Sequence, residues 1–198
     1  MAYMSRKERR AQIIGAAADI VSREGLAAAT VRAIATEIAC SPGQIHHHFG
    51  TADELRAEGM REVWARIGPA ISQVLRAIPP KERLRMILIC NPDAFTGDLG
   101  AKLQIARNLW HEAWEGHHAP CVQSAIVEGS ENLRREVLTA LQEGQAAGTF
   151  PQSNAEETSV RLISASQGFE LLISIGAIPE GHTNRATFIE GLLRAEGL

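Results

Sequence analysis

The ten residues SPGQIHHHFG, 41–50, decide how the rest of the chain is read. Ser41 is a favourable N-cap, Pro42 suits the first helical position, and Gln44 stands three residues after the cap, so the stretch opens as a capping box. Gly50 ends it, and the helix between is very short. Ile45 and Phe49 lie four residues apart and share one face, which predicts that this face packs on the neighbouring helices. His46, His47 and His48 fill the interval. Consecutive residues on a helix fan out by about 100°, so three histidines in a row do not converge on one metal ion. His46 and His47 are expected on the open side and His48 at the core edge. They are then either solvated surface or contacts to a charged partner, and the flanking sequence bears on which.

Immediately upstream stands a second short capped segment. Thr30 can cap a helix whose apolar positions are Val31, Ile34, Ala35 and Ile38, and Ala39-Cys40 connects it to Ser41. Two capped short helices joined by a turn of about three residues form the helix-turn-helix pattern. In front of them, Ser5-Arg6-Lys7-Glu8 is another capping box. Ile13, Ala16, Ala17, Ile20 and Val21 follow at helical spacing and Gly25 is a stop, which predicts a helix over residues 6–24. Behind them, Thr51-Ala52-Asp53-Glu54 opens a long fourth helix that should run to Ala77 and close at Pro79-Pro80.

The pattern stays helical to the end of the chain. Apolar helical segments are expected over 81–90, 99–116, 120–146, 155–176 and 183–196, with breaks at 91–98 and at Gly148 to Asn154. No strand pattern and no repeat is visible. The fold class is therefore all-α, with about nine helices: an N-terminal helix-turn-helix domain, residues 1–55, and a helical domain, residues 56–198. Three widely spaced cysteines, Cys40, Cys90 and Cys121, include no CxxC pair. That argues against a disulfide framework and a cysteine zinc site, and it fits a cytoplasmic location. The basic N-terminus has no apolar run behind it, so it is not read as a signal peptide, and no apolar stretch approaches the length of a membrane span. Residues 1–50 carry a net +2 and the remainder −5. The basic excess sits in RKERR, 6–10. A basic end on an acidic body suggests that the N-terminal piece meets an anion such as nucleic acid.

These residues resemble the DNA-binding domain of the TetR/AcrR family of bacterial transcriptional regulators. Thr30, Ile34, Ala35, Ser41, Gly43, Ile45, His48, Phe49, Thr51 and Leu55 stand at the positions of the family pattern, and residues 9–25 are similar to its first helix. The resemblance implies a homodimeric, ligand-responsive regulator, with a helical ligand-binding and dimerisation domain after residue 55. In the C-terminal part it extends to layout alone, and LWHEAW, 109–114, bears a slight likeness to the choline-responsive branch. Three departures stand out. The turn glycine of the family is Ala39 here, the usual tyrosine is His46, and the usual lysine at the start of the fourth helix is Ala52. If Ala39 has a positive φ, it costs about 1 kcal/mol. The other two normally touch phosphate, a task that RKERR and the histidines would then take over.

Thr30, Arg32, Ser41, Pro42, Gly43, Gln44, His46, His47, His48 and Thr51 are the expected contacts to a double-stranded DNA operator. Gln44 suits adenine in the major groove, and a protonated His46 or His47 would add a cation at the interface. Affinity is then expected to rise as pH falls from about 7.5 to 6. Elsewhere, HEAWEGHH, 111–118, fails as a zinc-protease motif because Glu115 stands where HExxH needs its second histidine. His111, His117, His118 and Cys121 remain as a looser candidate metal cluster, but no metal and no cofactor is expected. Trp110 and Trp114 share a helix face. They are either ordinary core or one wall of an effector pocket for a flat or cationic ligand, together with Phe95, Leu103, His111 and Phe169. Val160, Ser164, Gly168, Leu171 and Ile175 form a stripe on the penultimate helix, either internal core or, as the resemblance implies, a dimer interface. Without a His-Asp pair, GxSxG or P-loop, an enzyme is not expected, and a metal-dependent hydrolase using the His clusters is the rival reading. A relative that has lost DNA binding is the third.

Overall fold

A computed structural model describes residues 5–114, 119–178 and 184–198. Among these residues there are nine α-helices and no strand: α1 (Arg6–Glu24), α2 (Val31–Glu37), α3 (Pro42–His46), α4 (Ala52–Arg76), α5 (Pro80–Ile89), α6 (Gly97–Trp114), α7 (Pro120–Ala146), α8 (Ala155–Ser174) and α9 (Arg185–Ala195). The all-α expectation holds. The break before α6 is shorter than its sequence suggests, because Pro92–Ala94 winds into a 3-10 turn and α6 already starts at Gly97. No helix among the described residues is long and apolar enough to cross a membrane.

The N-terminal helix ends follow from local chemistry. At α1 the Glu8 amide donates to Ser5 Oγ at 3.2 Å and the Ser5 amide donates to Glu8 Oε2 at 2.7 Å. This reciprocal box holds the Glu8 carboxyl below the usual carboxylate range. Thr30 Oγ1 accepts from the Ala33 amide at α2. At α4, Thr51 Oγ1 accepts from the Glu54 amide, and Glu54 Oε2 accepts from the amides of Gly50 and Thr51. α3 uses half of its expected box: Ser41 Oγ accepts from the Gln44 amide at 3.3 Å, while Gln44 itself stays exposed.

By its internal contacts the chain divides into two compact units, Met1–Ile71 with Thr96–Ser130 and Ser72–Phe95 with Glu131–Leu198. The whole of the expected DNA-binding segment, 1–55, lies in the first. Its core gathers Ile13, Ala17, Ile20, Ile34, Ile45, Phe49, Leu55, Met60 and Val63 with Ala106, Leu109, Val122 and Ala125. α1 and α4 approach closely where both are small: a side chain at Gly59 would meet Ala17 Cβ at 3.0 Å. The second unit has its own core of Leu84, Leu88, Val137, Leu141, Phe150, Leu162, Ile189 and Leu193. Polar contacts tie its helices together. Arg85 reaches Glu190, joining α5 to α9, and Arg185 pairs with Glu170 while its Nε donates to the Leu88 carbonyl.

Ala39, in the turn between α2 and α3, has φ 49°, in the left-handed region. An L-residue is strained there and glycine is not. Ala39→Gly is expected to stabilise the chain by about 1 kcal/mol, read as a higher urea midpoint at unchanged slope. A lower midpoint would mean that the strain is absorbed elsewhere.

Candidate nucleic-acid interface

α2 and α3 divide their residues sharply between inside and outside. Ile34, Ala35, Ile45 and Phe49 are buried in the first core. Thr30, Arg32, Ser41, Pro42, Gly43, Gln44, His46, His47 and Thr51 are all exposed, and His48 is half-buried. The ten positions expected to meet DNA therefore lie on or at the edge of the open surface. Gly43 adds no bulk to it: a Cβ there would come no closer than 3.9 Å to Ser41 Oγ. Ile45 is the single buried residue within α3, and the amides of His48 and Phe49 both donate to its carbonyl.

The basic N-terminus of α1 belongs to the same surface. Burial keeps the His48 imidazole below its usual pKa, and the positive charges of Arg6, His47, Arg10 and Arg9 push it further down. Three arginines of α1 and the adjacent His47 thus contribute to the shift at one imidazole. Arg10 has a packing role as well: its guanidinium lies 4.9 Å from the centroid of the Phe49 ring and reaches Glu58 at 3.2 Å. Arg9 bonds Gln12 at 2.8 Å. Composition shows RKERR as a charge run, but the placing of Arg10 over the Phe49 ring is tertiary and leaves no spacing signal.

The other candidates separate. Leu103, Trp110 and His111 lie in the first unit, Phe95 and Phe169 in the second. Leu103 and Phe169 are buried, and Phe169 stacks on Phe188 with centroids 4.3 Å apart. Trp110 packs against Trp64, 5.7 Å between centroids and tilted by 48°. The buried Trp64 indole Nε1 has no hydrogen-bond partner among the described residues. Trp114 ends α6, and its side chain lies outside the description. Among the described residues no group of three His, Cys, Asp or Glu comes together as metal ligands, and His117 and His118 lie outside them. On α8 Val160 and Leu171 are 52% and 43% exposed, Ile175 at its C-terminal cap is 66% exposed, Ser164 is exposed and Gly168 half-exposed. The stripe is thus not internal core of this chain.

With this geometry in view, comparisons with known proteins agree on the N-terminal region. Residues 13–58 match the family described as bacterial regulatory proteins, tetR family. The chain is 37% identical over 71 residues to the HTH-type transcriptional regulator BetI of Vibrio parahaemolyticus, covering 36% of each protein. It is 34% identical over 84 residues to the HTH-type transcriptional regulator PksA of Bacillus subtilis, covering 42% of this chain and 41% of that one. In these matches the chain spans less than half the length of its curated relatives. The fold likeness runs further. A transcriptional regulator from Saccharomonospora viridis in complex with choline superposes with a TM-score of 0.63 at 20% identity, over 96% of this chain and 95% of that one. A transcriptional regulator of the TetR family from Cytophaga hutchinsonii gives a TM-score of 0.65 at 16% identity, over 99% of this chain and 97% of that one.

Proposed function

We propose that this chain, a TetR-family transcriptional regulator by its helix-turn-helix and its fold, acts as a homodimeric repressor that a small-molecule effector releases from its operator. The observation that carries the reading is the surface of α2 and α3. Its polar residues are exposed, Ile34, Ala35, Ile45 and Phe49 are buried, and Arg10 of α1 lies over the Phe49 ring next to His48. Gln44, His46 and His47 offer the groups that read base edges, and Arg6 and Arg9 those that meet phosphate.

The exposed stripe on α8 supports the dimer. An open row of Val160, Leu171 and Ile175 around Ser164 and Gly168 suits a self-complementary interface. Two-fold symmetry would set the recognition helices about 34–36 Å apart, in successive major grooves. Effector binding then favours a dimer whose spacing no longer matches two half-sites. Effectors differ among proteins of this fold: the Saccharomonospora viridis regulator holds choline, and FadR of Bacillus subtilis holds stearoyl-CoA. In this chain the Trp64–Trp110 pair, with its buried indole N–H, suits a flat or cationic ligand.

Selection of bound sequences from random duplex DNA, with the salt dependence of the best binder, tests the function. A palindrome bound with a steep salt slope is expected. No enrichment at low salt would sink the reading and leave a relative that no longer reads DNA.

Affinity for that palindrome is expected to rise as pH falls from about 7.5 to 6. In the free protein burial, and after it the surrounding cations, hold the His48 pKa below its usual value. Phosphates that neutralise those cations would raise it, so the complex takes up protons on forming and acid favours it. Equal affinity at both pH values in a fluorescence titration would exclude protonation of His48 at the interface.

A further inference from the structure

The glutamate of HEAW has no part in the function described so far. Glu112 lies on α6, and its Oε2 accepts a hydrogen bond of 2.6 Å from the backbone N–H of Leu26, 86 residues away in the chain. The same carboxylate occupies the space that a side chain at Gly25 would take, with Oε1 only 2.1 Å from where a Cβ would sit. Gly25 ends α1 with φ 90°, a conformation that L side chains rarely adopt.

Leu26 follows the end of a helix, where its amide has no helical acceptor, and a partly buried backbone N–H without a partner is costly. Glu112 supplies that partner through a charge-assisted bond, one of the stronger kinds. The turn continues from there by its own bonds. The Ala29 amide donates to the Leu26 carbonyl at 3.2 Å, the Thr30 amide to the Ala28 carbonyl at 2.7 Å, and Thr30 then caps α2. Leu26 and Ala29 are buried, so the turn is pinned on its apolar side too. This turn leads directly into α2, whose Ile34 and Ala35 are buried in the same core.

We propose that Glu112 is a positioning residue through which α6 fixes the α1–α2 turn and thereby the stance of the recognition helix. The DNA consequence rests on the operator-binding function proposed above; the structural consequence does not. The test uses the full-length chain and the palindrome selected by the wild type. In E112A the Leu26 amide is expected to exchange at least about tenfold faster, and operator affinity to fall about tenfold. Amides of the α1 core, such as Ala17 and Ile20, should stay protected. E112Q keeps an acceptor oxygen in place and is expected to recover both properties. E112D keeps the charge but is one methylene short, and it should behave as E112A.

Unchanged Leu26 exchange in E112A would overturn the proposal. So would unchanged operator affinity despite lost protection, or a failure of E112Q to rescue. If E112A does not fold, E112Q against E112D carries the same comparison. If the wild type selects no operator, the regulatory function fails but Glu112 remains testable. Backbone amide shifts from Thr30 to Gln44 then report the stance of α2 and α3 directly: they move in E112D under the proposal and stay in place otherwise.

Discussion

Ile45→Ala is expected to destabilise the chain by about 3 kcal/mol, within the range for removing a buried isoleucine, and to weaken operator binding at least tenfold. Ile45 is fully buried, and it is the one buried residue of a helix five residues long. A helix so short has no stability of its own, so its place on the core depends on this side chain and on Phe49 just beyond it. A typical fold has enough stability to survive a loss of this size, and the rest of the chain should stay folded. Ile45→Val trims one methyl group and should cost only about 1 kcal/mol. Urea unfolding of the two variants checks the stability, and titration with operator DNA checks the binding. A midpoint for Ile45→Ala equal to that of the wild type would show that α3 is held by something other than this contact.

The second large effect concerns a charge in the other core. Arg83 on α5 is 3% exposed, yet it carries a full guanidinium. Its Nη2 lies 2.8 Å from Glu143 Oε2 and donates to the Ile78 carbonyl at 3.2 Å. Its Nε and Nη1 are buried with no partner among the described residues. Glu143, 47% exposed, is thus the counter-charge of a buried cation. Glu143→Ala is expected to cost about 2–3 kcal/mol, below the usual figure for breaking a buried pair because water reaches the carboxylate. Arg83→Met removes the charge at similar length and should be neutral or stabilising. The double variant should then lie close to the wild type, because the pair contributes through its asymmetry. Thermal melts of all four proteins complete the cycle. Equal losses in Glu143→Ala and in the double variant would mean that Arg83 needs no counter-charge.

Where the structure was readable from the residues, the information was local. Ser5, Thr30, Ser41 and Thr51 each accept from the amide three residues on, and the helices begin where those residues stand. Gly25 marks the end of α1 because its backbone conformation excludes most other residues. Alternation of apolar and polar positions placed Ile45 inside and His46 outside for the same reason. The positive φ of Ala39 could be anticipated only against a family pattern, since nothing in the residue itself announces it.

What stayed hidden is set by distant partners. No spacing connects Glu112 to Leu26, and a motif search could only ask whether that glutamate was a catalytic base. Arg83 looks like any surface cation of an amphipathic helix until Ile78 and Glu143 close around it. The start of α6 at Gly97 was missed because Pro92 and Gly97 both read as breakers, although each opens a helical turn here. On α8 the periodicity fitted internal core and interface equally well. Exposure of Ile175 at 66% argues against core, a property of the folded chain rather than of the stripe.

The division of residues 44–49 between Ile45 and Phe49 on one side and Gln44, His46 and His47 on the other has an evolutionary consequence. Substitutions at the three outward positions touch none of the buried core, and exposed positions of this kind typically change stability by less than about half a kcal/mol. Drift in operator preference is therefore nearly free of a folding penalty, and paralogues of such a chain can part in target while keeping one scaffold. The inward pair has no such latitude, so divergence among descendants should concentrate on the outward residues of this one short segment.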